Sequence, residues 1–121
     1  MKIARTSQTT ADPLQTEWFD GKGTRQDVAK IDAPAGGITV VSFEPGARTH
    51  WHRHTDGQVL FVLDGSGRTA TRDESEVPIA PGDVVYVAPD EEHWHGATHD
   101  TAMRHVALSF GTTVWLESAD E

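Results

Sequence analysis

The sequence contains no cysteine, so no disulfide can brace the fold and thiolate chemistry is excluded as a mechanism. Any metal ligands must be imidazole, carboxylate or amide groups. Positive charge is scarce: 10 Lys and Arg stand against 19 Asp and Glu, a formal net charge of −9. A field of that sign repels nucleic-acid phosphates and anionic membrane surfaces, so neither is an expected partner and a neutral or weakly charged small molecule is. There is no run of ~18 apolar residues and no basic stretch leading into an apolar one, which argues against a membrane span or a signal peptide and leaves the cytoplasm as the expected location. Helical periodicity is missing as well, since no stretch keeps apolar residues at helical spacing for ~10 residues.

What the chain does have is short apolar runs broken by turn residues. Gly36-Gly37, Glu44-Pro45-Gly46, Asp64-Gly65-Ser66-Gly67, Pro81-Gly82-Asp83 and Pro89-Asp90 bracket segments of strand length. Residues 38–43, 58–63, 84–88 and 103–110, rich in β-branched and apolar side chains, read as strands. Many short strands at this spacing predict an all-β sandwich or barrel, and 121 residues fit one such domain. Residues 1–16, rich in Thr, Ser and Gln, read as a flexible N-terminal arm, 17–117 as the barrel and 118–121 as an acidic tail. The arm runs directly into Trp18 and Phe19. With barrel edges that commonly need covering, this leads to the expectation of a homodimer.

The histidines carry the functional signal. His52 and His54 are one residue apart, which on a strand puts both rings on one face. Gln58 follows the turn element Thr55-Asp56-Gly57 and can return an amide oxygen to the same place. A fourth ligand must come from elsewhere, and His93, in the cluster His93-Trp94-His95 after the turn at Pro89-Asp90, is the natural candidate. His95 shares the parity of His93, and His105 shares a strand face with Ala107 and Ser109, small side chains that leave room for a ligand. Trp51 and Trp94 have the opposite parity and are expected to pack behind the site. Phe61 and Tyr86 read as core or interface, His50 as exposed at a strand start and His99 as surface.

Two blocks of this pattern resemble the cupin superfamily. Its first motif, G-x5-H-x-H-x3,4-E-x6-G, is matched in every spacing from Gly46 through His52, His54 and Gln58 to Gly65, with Gln58 in place of the usual glutamate. Its second, G-x5-P-x-G-x2-H-x3-N, keeps Gly82 and His93 but has Ala88, Asp90 and Ala97 at the other fixed positions. The resemblance implies a small jelly-roll β-barrel with a divalent metal held by His52, His54, Gln58 and His93. Three neutral imidazoles and a neutral amide would leave the full charge of such an ion uncompensated, which favours Lewis-acid over redox chemistry.

A closer likeness is to the small bacterial cupin hydroxynitrile lyases that use manganese. It rests on 43–49 leading into Trp51-His52, on Gly82-Asp83-Val84-Val85 with 93–97, on Thr101-Ala102-Met103 with His105, and on Trp18-Phe19. This likeness implies manganese, with iron, nickel or zinc as other ions that suit the donors, and catalytic or substrate-orienting roles for His95 and His105. Departures fall at His50, where a small residue is expected, and at Thr39 and Ser109, which alter the pocket wall. The activity so implied is cleavage or formation of cyanohydrins, with a histidine base. The alternatives are a cupin dioxygenase acting on a small phenol, enediol or alkene with the same ligands, and a non-catalytic metal or small-ligand binding module.

Overall fold

The computed structural model describes residues 1–73 and 75–119; the last two positions of the acidic tail lie outside the described residues. After a short 3-10 turn at Thr6–Gln8 the described residues form thirteen strands: β1 Asp12–Pro13, β2 Phe19–Asp20, β3 Gly23–Asp32, β4 Ala35–Phe43, β5 Arg48–Thr49, β6 His52–His54, β7 Gln58–Gly65, β8 Gly67–Thr71, β9 Val77–Ile79, β10 Val84–Val87, β11 His93–Ala97, β12 Met103–Phe110 and β13 Thr113–Trp115. They form two antiparallel sheets of the jelly-roll type. One runs β1-β3-β4-β12-β7-β10; the other runs β13-β6-β11-β5-β2, with β8 on β11 and β9 on β8. Among the described residues no helix is long and apolar enough to cross a membrane.

The four strands read from the sequence are present. Residues 103–110 coincide with β12, 38–43 lie inside β4, 58–63 inside β7, and 84–88 overrun β10 by one residue. Strict alternation explains the agreement: along β12 the inner residues Met103, His105 and Ala107 are buried and the residues between them are half-buried. The arm differs from its reading in one respect. Leu14 is buried in the apolar cluster with Phe19, Val41, Phe43, Val62, Ile79 and Met103, and Asp12–Pro13 pairs with β3. Trp18 and Phe19 also pack within the chain, Trp18 stacked on Trp115 at 5.4 Å and Phe19 in the core. Phe61 and Tyr86 lie outside the core, exposed on the outer side of β7 and β10.

Two glycines set the geometry near the histidines. Gly57, at φ 91°, closes the turn from β6 to β7, and its N–H donates to the carbonyl of His54 at 3.1 Å; the turn brings Gln58 back beside His54. Gly96 lets β11 approach β5, because a Cβ there would sit 2.4 Å from the carbonyl oxygen of Ala47. Asp90 occupies the glycine position of the second motif and takes the left-handed conformation itself, at φ 63°, which aspartate tolerates better than most side chains. Its carboxylate pairs with Arg53 at 2.6 Å. The motif departure at Asp90 thus leaves the turn before His93 intact.

Candidate functional site

Five buried histidines meet between the sheets. β6 supplies His52 and His54, its neighbour β11 supplies His93 and His95, and β12 in the opposite sheet supplies His105. The register pairs His52 directly with His93, so their ring centroids lie 4.2 Å apart. His54 is 5.0 Å from His52 and 5.6 Å from His93. A cavity of about 610 Å³ opens onto this cluster, and His52, His54, Gln58, His95, His105 and Trp115 are part of its lining. Along the inner face of β12 the chain passes from core to cavity: Met103 is in the apolar cluster, His105 lies 5.4 Å from Phe43, and Ala107 and Ser109 line the cavity.

Hydrogen bonds set the tautomers. Nδ1–H of His52 donates to the carbonyl of His50 at 2.9 Å, and Nδ1–H of His93 to that of Glu91 at 3.2 Å. A carbonyl only accepts, so each neutral ring keeps its lone pair on Nε2. Nδ1 of His54 meets the Thr113 hydroxyl at 3.0 Å, and its Nε2 is buried without a partner. Nε2 of His93 faces Oε1 of Gln58 at 2.9 Å, two acceptors with no hydrogen between them. Two donors each ~2.1 Å from one ion and at right angles stand ~3.0 Å apart, so a cation would turn this opposition into coordination. The residues fit a divalent metal on that ground. Ring nitrogens of His52, His93 and His95 also lie within 4.8 Å of one another, so His95 stands within reach of the same place.

His95 and His105 form a separate pair, with Nε2 of His105 3.1 Å from Nδ1 of His95. Among the described residues, Nε2 of His95 and Nδ1 of His105 have no partner. The backbone N–H of His95 donates to the buried Thr49 hydroxyl. The remaining expectations sort cleanly. Trp94 is buried behind the site under Arg48 and Arg68, and Trp51 lies 3.9 Å beneath Arg72. His99 is exposed. His50, read as exposed, is instead half-buried, because its Nε2 turns in to lie 3.3 Å from Asp20, and it stays outside the cavity lining. Sequence reasoning missed Thr113, which meets His54, and Trp115, whose ring lies 4.6 Å from His52. Their alternate spacing, the same parity cue that marked the histidines, was the available signal.

Burial is the largest influence on all five rings, and it drives them toward the neutral form. His52 and His95 are held well below the ordinary 6.5, helped by the nearby charge that His93 and His105, respectively, would carry. His54 is lowered to about 4 by burial and then by His93, with Gln58 opposing, and His93 and His105 are also lowered to about 4 by burial. A folded pKa below the unfolded one means that the unfolded chain binds more protons as pH falls. Stability is therefore whole above about 6.5 and is lost on the way down to about 4. The melting temperature of metal-free protein is expected to drop by ~10 °C or more between about pH 7 and about pH 4.5. A flat profile by calorimetry would contradict the neutral cluster.

The cupin domain family model matches residues 39–109 of this chain. Over 110 residues the chain is 40% identical to an (R)-mandelonitrile lyase of Granulicella tundricola, covering 89% of this chain and 83% of that protein. The crystal structure of a cupin-like protein from Thermotoga maritima superposes with a TM-score of 0.84 at 34% identity, covering 90% of this chain and 86% of that one.

Proposed function

The chain belongs to the cupin family, and on that footing we propose that it is a divalent-metal-dependent lyase that cleaves and forms cyanohydrins. In this reading His52, His54, Gln58 and His93 hold the ion, manganese foremost, and His95 and His105 handle the proton. The observation that carries it is the buried His95–His105 pair, 3.1 Å apart with an unpartnered nitrogen on each ring, set beside the converging donors of the other three histidines. The likeness to an (R)-mandelonitrile lyase supports the reaction type. The Phe19 and Trp115 rings in the cavity lining favour an aromatic substrate.

A bound divalent ion would supply Lewis-acid stabilisation of the alkoxide formed from the substrate hydroxyl. The chain's own part is the proton. When Nδ1–H of His95 donates to Nε2 of His105, Nε2 of His95 holds a free lone pair and can accept the hydroxyl proton. The bond to the nitrile carbon then breaks, its electron pair leaves on cyanide and the carbonyl forms. The proton passes from His95 to cyanide, so the products are an aldehyde or ketone and hydrogen cyanide. The same steps in reverse give addition. Because burial keeps His95 neutral, the base is available at mildly acidic pH, where released cyanide is protonated.

Manganese-loaded protein is expected to release cyanide from an aromatic cyanohydrin with oxygen excluded, since only this reading requires that reaction. Loaded protein that releases none above the spontaneous rate, across several cyanohydrins at about pH 5 to 7, would remove the lyase reading. Oxygen consumption with catechols, flavonols or aryl alkenes would then favour a dioxygenase.

A further inference from the structure

Gln58 is the member of the proposed ligand set whose donor atom is not fixed by its own ring chemistry. An amide presents a carbonyl oxygen on one side and an NH₂ on the other, and only the oxygen can meet a cation. The side chain is buried, at 4% exposure, so both ends need partners inside the protein. Here Nε2 donates to Oγ of Ser109 at 2.8 Å, while Oε1 faces Nε2 of His93 at 2.9 Å. Because the His93 Nδ1–H is engaged by the Glu91 carbonyl, that second contact sets two acceptors against each other. A flipped amide would donate its NH₂ to His93 and accept the Ser109 hydroxyl proton on its oxygen, so it is an ion at the histidine nitrogens that favours the oxygen-inward pose.

We propose that Ser109 is the positioning residue that holds the Gln58 amide by its NH₂ in the pose where the carbonyl oxygen faces the histidine nitrogens, and that it thereby raises the affinity of the site for divalent ions. The inference rests on the ligand set proposed above. The fold places the two residues together: Ser109 is the direct cross-strand partner of Gln58 in the β12–β7 ladder, and such partners have Cβ atoms close enough for short side chains to touch. Ser109 accepts the amide N–H that metal-facing Gln58 would otherwise bury unpaired. With the hydroxyl gone, an amide that meets the ion through its oxygen buries its NH₂ unpaired, whereas the flipped amide still donates to His93 and leaves only its carbonyl oxygen without a donor, the better tolerated of the two losses. An incoming ion must then break a hydrogen bond to recover its oxygen ligand.

The test is titration of metal-stripped protein with Mn²⁺ by calorimetry, in wild type, Ser109→Ala, Ser109→Thr, Gln58→Ala and the Gln58→Ala/Ser109→Ala double variant. Ser109→Ala is expected to weaken binding ~10-fold or more, the scale on which groups that orient a ligand act. Ser109→Thr, which keeps the hydroxyl, should recover most of that loss. In the Gln58→Ala background the second substitution should change affinity by less than ~2-fold, since no amide remains to hold. Ser109→Ala binding like wild type would overturn the proposal, as would the same loss recurring without Gln58, which would place the effect in packing. Wild type that binds no divalent ion would overturn both this inference and the ligand set. A failed lyase assay with the Ser109 effect intact would leave this inference standing.

Discussion

Replacement of His93 by alanine is expected to strip the protein of its metal, with bound ion after dialysis falling by ~10-fold or more under conditions where wild type stays loaded. The ring is fully buried, is paired in register with His52, and has its Nδ1–H held by a backbone carbonyl, so its Nε2 lone pair has a fixed direction. Substitutions that merely disturb the orientation of a ligand cost ~10–100-fold in affinity, so removal of a donor costs at least as much. His52→Ala should behave in the same way. Elemental analysis that finds full occupancy in both variants would sink the assigned ligand set. The third imidazole is a sharper question, because His52 and His93 have both His54 and His95 near them. The unpartnered Nε2 of His54 and the Gln58 oxygen beside it lead to the expectation that His54→Ala loses metal and His95→Ala keeps it. The opposite pattern would reassign His95 from base to ligand.

Much of this was legible in the sequence because period-two parity is a local signal. His52 and His54, His93 and His95, and His105 with Ala107 and Ser109 each share a face by spacing alone, and each set does point inward. Contacts that join the two sheets were not legible. His95 meets His105, Gln58 meets Ser109 and His54 meets Thr113 only because β6, β7, β11, β12 and β13 converge, and no local pattern encodes those distances. The missed strands have physical reasons as well. β3, with the sequence GTRQDVAKID, carries a bulge at Val28 and lines the cavity with Arg25, Asp27 and Lys30, so its inner face lacks the apolar alternation that marks a strand. β8, with the sequence GRTAT, is built of small and polar residues and packs its buried Arg68 against Trp94. Leu14 reads as part of the arm because one apolar residue among polar neighbours makes no period; it is buried because β1 lays it against β3 beside the core.

Removal of the imidazole of His95 is the variant with the largest expected effect on turnover. In cyanohydrin cleavage by manganese-loaded protein, His95→Ala should lower kcat by ~10²–10⁴, the range for loss of a general base, while metal content stays at the wild-type level. Metal content has to be measured in the same samples, because a site emptied by the substitution would also lose activity. His105 acts on His95 and not on the substrate, so His105→Ala should show a different signature. It removes the partner of Nδ1 at 3.1 Å, so kcat should fall more than KM changes. Wild-type turnover in metal-loaded His95→Ala would remove the base assignment. A kcat that does not fall in His105→Ala would mean that the pair does not act as a unit, and the role of His105 would reduce to filling the space beside Phe43.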